Sequence, residues 1–185
     1  MRIGALAVAF AVVLACAQAQ EPSAGKSNSK WSIGNVSVVT NTKARRMSTR
    51  GSSSEIAAEP GKVFFRVSAV FSSDGDQSGK VGGIYLTDSL NQTWQIKGID
   101  YDWGGSECYF FPEDVPGLFG IIAPDHSSTL EVRGWATGTD PITFKLSKPS
   151  AHLSILFSMP AEAASGTFTL HFSGSSIILP RPSAK

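Results

Sequence analysis

Cysteine is nearly absent from this chain, with two in 185 residues. That excludes a disulfide-stapled miniprotein, which needs several bridges in a short chain. An excess of either charge is also missing, because 16 Lys and Arg stand against 15 Asp and Glu, a formal net charge of +1. General binding to nucleic acid or to an anionic membrane requires a basic excess to meet phosphates, so neither is expected. Charged residues make up 17% of the chain and hydrophobic residues 42%, the reverse of a disordered tail. The 18 Gly and 10 Pro follow no three-residue repeat, which removes a collagen-like fibre. Long segments with a helical period are lacking too. What remains is one globular domain, long enough to bury its own core.

The first residues describe a journey. Arg2 precedes a run from Ile3 to Ala15 with no charge and no strongly polar residue. This is a basic n-region followed by an apolar h-region, shorter than the roughly 20 residues that span a bilayer, so no membrane span is expected. Ala17-Gln18-Ala19 places small residues where a signal peptidase reads, which predicts a signal peptide over residues 1–19 and cleavage before Gln20. Val13-Leu14-Ala15-Cys16 fits a second route, a bacterial lipobox in which Cys16 is lipidated and becomes the terminus. The expected location is secreted or periplasmic, with a lipid anchor in the cell envelope as the alternative. Loss of residues 1–19 removes Arg2 and no acid, leaving 15 basic against 15 acidic residues, and it leaves Cys108 as the lone thiol. One thiol makes no internal bridge. Cys108 stands in Glu107-Cys108-Tyr109-Phe110-Phe111, an apolar setting that predicts a buried structural cysteine.

Residues 20–30 are polar, with Gly, Pro and Ser, and read as a flexible linker. From Trp31 the pattern is alternation. Val63, Phe65, Val67, Ala69 and Phe71 share one face, while Arg66 and Ser68 take the other. Ile84 and Leu86 alternate with Tyr85 and Thr87; Trp94 and Ile96 with Thr93, Gln95 and Lys97; Leu130 and Val132 with Glu131 and Arg133; Ile142, Phe144 and Leu146 with Thr143 and Lys145; Leu153, Ile155 and Phe157 with His152, Ser154 and Ser158; Phe168, Leu170 and Phe172 with Thr167, Thr169 and His171. A period of two puts one set of side chains in a core and the other in water, the mark of antiparallel strands packed on one face. The phase shift at Gly34-Asn35 predicts a bulge or an edge strand. Eight such segments without helical crossovers predict an all-β fold, an antiparallel β-sandwich over residues 31–180 with a tail at 181–185. Asp88-Ser89-Leu90-Asn91 reads as a turn, and residues 160–166 as a break with one helical turn. Residues 40–59 and 98–127 read as long loops, the second rich in Gly, Pro and aromatics.

Pro60-Gly61-Lys62 before the strand 63–71, the run Ile84-Tyr85-Leu86-Thr87-Asp88-Ser89-Leu90-Asn91-Gln92-Thr93-Trp94, and Leu156-Phe157-Ser158-Met159-Pro160-Ala161-Glu162 before Thr167-Phe168-Thr169-Leu170 resemble one family. It is the telokin-like, immunoglobulin-like domain of bacterial secreted proteins and lipoproteins, in the same structural group as the mycobacterial immunoprotective extracellular antigen. The resemblance covers roughly residues 31–180 and implies an immunoglobulin-like β-sandwich. It carries no catalytic residue and no cofactor to transfer.

Within residues 98–127, Asp100-Tyr101-Asp102-Trp103-Gly104-Gly105-Ser106-Glu107 is acidic and aromatic. Tyr101, Asp102 and Trp103, with Trp135 beyond the strand 130–133, are the candidate contacts for a protein or glycan partner at the cell surface. The competing reading folds Tyr101 and Trp103 back over the end of the sandwich. Asp100 and Asp102 also read as paired acid–base carboxylates of a hydrolase, for which sequence proximity alone fixes no separation. Asp74-Gly75-Asp76-Gln77-Ser78-Gly79 opens like a calcium loop through Asp74, Asp76 and Ser78, but Tyr85 stands where the closing Glu belongs, as in an ordinary hairpin loop. Lys43, Arg45, Arg46 and Arg50 form a basic cluster, read as a solvated loop with anionic-polymer binding as the alternative. Asp125-His126-Ser127 holds triad residue types side by side, which is no triad geometry. Asn35-Val36-Ser37 and Asn91-Gln92-Thr93 are glycosylation sequons in a eukaryotic setting. The expected function is non-enzymatic binding or an envelope role without a cofactor; a carbohydrate- or calcium-dependent adhesion module is the alternative.

Overall fold

Strands β4 (Lys62–Ser73) and β12 (Ser150–Pro160) pair antiparallel from Ser150 opposite Ser72 to Pro160 opposite Lys62. Around them, a computed structural model describes residues 31–48, 51–73, 84–101, 108–111, 114, 118–122, 129–133, 143–146, 150–172 and 175–184. Strand β1 (Trp31–Asn41) flanks β4, and β7 (Gly98–Tyr101) flanks β12. The two-residue β15 (Ser183–Ala184) adds parallel to β1 at Val39 and Thr40, so the chain is still strand-paired within 181–185. A second sheet runs in the order β14 (Ser175–Ile178), β13 (Phe168–Phe172), β5 (Ile84–Asp88), β6 (Thr93–Gln95). The orders β1-β4-β12-β7 and β14-β13-β5-β6 are those of an immunoglobulin-type sandwich, ABED against GFCC′. The protein is an all-β, antiparallel β-sandwich.

Alternation explains the core. Phe65, Val67, Ala69 and Phe71 of β4 and Leu153, Ile155, Phe157 and Met159 of β12 meet Ile84, Leu86, Phe168, Leu170 and Phe172 of the second sheet. The rings of Phe65 and Phe168 lie 4.8 Å apart, and those of Phe71 and Phe172 4.5 Å apart. The predicted bulge is present: the β1–β4 register shifts between Gly34 and Ser37, with Asn35 at φ 50°. The predicted turn after β5 is held by Asp88 Oδ1, which accepts from the backbone N–H of Leu90 and of Gln92, each at 2.9 Å. A 3-10 turn at Ala163–Ser165 fills the predicted helical position.

The opposite face of β4 and β12 departs from expectation. It is not open to water, since Phe64, Ser68, Ser154 and Leu156 are all buried. A third sheet covers it, in the order β3 (Ser53–Ala57), β2 (Lys43–Met47), β8 (Cys108–Tyr109). Ala44, Tyr109 and Phe111 there form a second core with Phe64 and Leu156. Residues 40–59 are therefore largely a hairpin and not a loop, with Ala44 turned inward and Lys43 and Arg45 outward. Likewise 98–127 contains β7, β8 and β9 (Leu118–Ile122). The last of these joins β10 (Thr129–Arg133) and β11 (Thr143–Leu146) in a further three-stranded sheet.

At Gly98 two layers come close together. A Cβ there would stand 3.0 Å from Tyr109 Cβ and 3.4 Å from Leu156 Cβ. Gly98→Val is expected to cost about 1–3 kcal/mol through overpacking, and Gly98→Ala less. Urea denaturation should show a lower midpoint at unchanged slope; an unaltered midpoint for the valine variant would contradict this packing.

Candidate functional site

β7 brings Asp100 to the register position beside Ser154, and β12 brings Ser154 beside Ser68. Ile99 of β7 belongs to the main core, so Gly98 and Asp100 project to the other side, toward the third sheet. Tyr109 reaches into the same layer. Its hydroxyl lies 3.0 Å from Ser154 Oγ, which lies 3.2 Å from Ser68 Oγ. Buried hydroxyls without partners are costly, and here each is supplied by a neighbour. Asp100 is only 2% exposed. It is thus an interior group, while Asp102, the other carboxylate of the acid–base reading, lies outside the described residues.

Cys108 is free and buried, as its apolar neighbours predicted. Burial pushes its thiol pKa up, and the negative charge of Asp100 adds to the effect; Arg45 and a hydrogen bond with Ser53 act in the opposite direction. A thiol so placed stays protonated and is a poor nucleophile. Nearby, Arg46 grips Asp114 with two parallel bonds, Nε to Oδ2 at 2.5 Å and Nη2 to Oδ1 at 2.6 Å. Its guanidinium also sits 5.4 Å from the centre of the Phe111 ring. Lys43 donates to Glu55 at 2.7 Å on the exposed face. Two members of the basic cluster therefore have counterions within the fold, which weakens the anionic-polymer reading.

Tyr101 ends β7 with its backbone opposite Leu153; its side chain is outside the described residues. Asp102, Trp103, Glu107, Trp135, Arg50, Asp74, Asp76, Ser78, Cys16 and the Asp125-His126-Ser127 run also lie outside them. The described histidines fall on the predicted faces. His152 is exposed, while His171 stacks on Tyr85 at 4.5 Å and bonds Thr87 Oγ1 through Nε2 at 2.9 Å. Among the described residues, no group of three His, Cys, Asp or Glu could hold a metal ion. The interlayer hydroxyls and the Arg46–Asp114 clamp were missed by sequence reading. The available signal was Phe64 and Leu156, apolar residues at positions assigned to water.

Tyr109→Phe removes one buried hydroxyl while Ser154 keeps Ser68, so a loss of about 1 kcal/mol is expected in denaturant unfolding. Cys108 should resist an aromatic disulfide reagent in the folded protein and react on unfolding; equal rates in both states would contradict its burial. Because its folded pKa is raised, the unfolded thiol ionises first as pH rises. The stability contribution is complete below the ordinary thiol range of about 8.5 and is lost above it. Cys108→Ala should flatten that alkaline decline relative to the parent protein in urea midpoints taken from neutral to alkaline pH.

No protein-family model matches the chain, and no curated protein matches it. Among solved structures, the chain is similar to an uncharacterized β-sandwich protein from Clostridium difficile 630, with 12% identity and a TM-score of 0.40 over 82% of this chain and 83% of that one.

Proposed function

We propose that the chain is an exported, non-enzymatic binding or cell-envelope protein whose immunoglobulin-like sandwich mounts the segment between β7 and β12. The observation that supports this is topological. An immunoglobulin-type sandwich needs only a short link between these two neighbouring strands, yet here residues 102–149 intervene and include the sheet β9-β10-β11. Residues 108–111 of this segment serve the second core, and segments mounted in this way on a rigid scaffold are where recognition residues concentrate. Trp103 and Trp135 belong to this segment. The N-terminal signal-peptide pattern supports export, and the telokin-like resemblance supports an envelope setting. The hydrolase reading draws on Asp100, which is buried, and on Asp102, which lies outside the described residues.

The test compares the domain from Gln20 onward with a Trp103→Ala/Trp135→Ala variant as baits for envelope extracts of the producing organism. Both should unfold at similar temperatures, and the variant should lose partner recovery several-fold. Equal recovery would defeat the aromatic surface. Intact mass and cell fractionation of the native protein separately distinguish Gln20 from a lipidated Cys16 as the terminus.

A further inference from the structure

Three separate parts of the chain line an open surface cavity of about 320 Å³. Thr40 of β1 lines it, with Ala161, Ala164 and Ser165 from the connection between β12 and β13, and Arg181 and Pro182 from the connection between β14 and β15. The folding logic of each wall is visible. Thr40 follows the core residue Val38 by two positions and so lies on the core face of its strand, where the sandwich opens. Ala164 is part of the main core and closes the floor. Ser183 Oγ donates to the Val38 carbonyl at 3.2 Å, and the two β15 ladder positions hold the Arg181-Pro182 segment against β1.

The polar groups of this cavity complement one another. Among the described residues, Arg181 forms no hydrogen bond or ion pair, and Thr40 Oγ1 forms no hydrogen bond, so both can donate. Ser165 Oγ already donates its hydrogen to the Glu162 carbonyl at 3.2 Å, which leaves its oxygen to accept. Ala161, Ala164 and Pro182 supply an apolar wall, and no carboxylate is among the lining residues. One cation, one hydroxyl donor and one hydroxyl acceptor match a monoanion that also carries a hydroxyl group. A dianionic phosphate would leave charge unmatched. The volume is at the small end of the range for ligand sites.

We infer that this cavity is a binding site for a small hydroxycarboxylate of sugar-acid size. Its carboxylate meets Arg181 and the Thr40 hydroxyl, and a ligand hydroxyl donates to Ser165 Oγ. The site lies apart from residues 102–149 in sequence and uses neither Trp103 nor Trp135, so it stands or falls independently of the proposed aromatic surface.

The probe is D-glucuronate, titrated into the protein and followed by amide chemical shifts, with glucose and inorganic phosphate as comparisons. Saturable glucuronate shifts at residues 161–165 and 181–182 are expected, with no saturation by glucose and much weaker binding of phosphate. Arg181→Gln should weaken glucuronate binding roughly tenfold or more, the usual scale for losing a charged hydrogen-bond donor. Ala161→Leu, at an exposed lining position, should weaken binding by narrowing the cavity. Arg181 is exposed as well, and a melting curve on each variant checks the fold. If Ala161→Leu disturbs the fold, Arg181→Gln decides alone. Absence of saturable glucuronate binding, an unchanged affinity in Arg181→Gln, or equal binding of phosphate overturns the inference.

Discussion

The pairing of β4 with β12 is the constraint on which the remaining layers depend. Both strands are covered on both faces, so one register sets two cores at once. Odd-numbered side chains of the pair meet the second sheet, while Phe64, Ser68, Ser154 and Leu156 meet the third. A one-residue slip would exchange the two sets, driving Ser68 and Ser154 among phenylalanines and Phe65 and Phe157 into a layer sized for hydroxyls. The hydroxyl row thus does more than satisfy itself. Tyr109 joins Ser154 only when β8 lies in one position over β12, and Gly98 allows that approach because it has no side chain.

Much of this was legible before any coordinates. A period of two along β4, β12 and β13 declares a one-sided core, and Gly34-Asn35 and Asp88-Ser89-Leu90-Asn91 declare a bulge and a turn through backbone preferences that act locally. The third sheet was not legible for a physical reason. It buries Ser68 and Ser154 beside its apolar residues, and these two serines look like solvent-facing ones in the sequence. β2 hides in the same way: its inward positions carry Ala44 and Arg46, and an arginine clamped to Asp114 resembles any surface arginine. Local preference cannot reveal a partner 68 residues away. The candidate aromatic residues were legible only as composition, and Trp103 and Trp135 lie outside the described residues. The cavity at Arg181 had no local signal at all, because its walls come from three distant segments.

This arrangement separates stability from recognition. Asp100, read in sequence as one of two paired carboxylates, is buried with Cys108 and Tyr109 in the contact between layers. Arg46 is committed to Asp114 and Phe111 in the same region. Groups locked by packing and mutual hydrogen bonds are poorly suited to meeting varied partners, but they are well suited to holding inserted segments in place. The fold carries two insertions relative to a plain immunoglobulin-type sandwich: the β2–β3 hairpin between β1 and β4, and residues 102–149 between β7 and β12. The first contributes to the second core through Ala44 and Ile56. The second contributes to the same core through Tyr109 and Phe111, so both insertions are tied to the scaffold by one layer.

The shortage of cysteine acquires a structural counterpart in the same frame. Antibody-type sandwiches join strands B and F by a disulfide across the core, and those strands correspond here to β4 and β13. Between them stand Phe65 with Phe168 and Phe71 with Phe172, two ring pairs at 4.8 and 4.5 Å. Such pairs contribute about 0.5–1.5 kcal/mol each beyond the area they bury, whereas a disulfide typically contributes about 2–4 kcal/mol. Two pairs approach the lower end of that range, and the burial of four phenylalanine side chains adds to them. The tie between the sheets is therefore distributed over aromatic packing and survives reduction. Its strength depends on the fit of rings in the core, which is the property that a double-sided β4–β12 register protects.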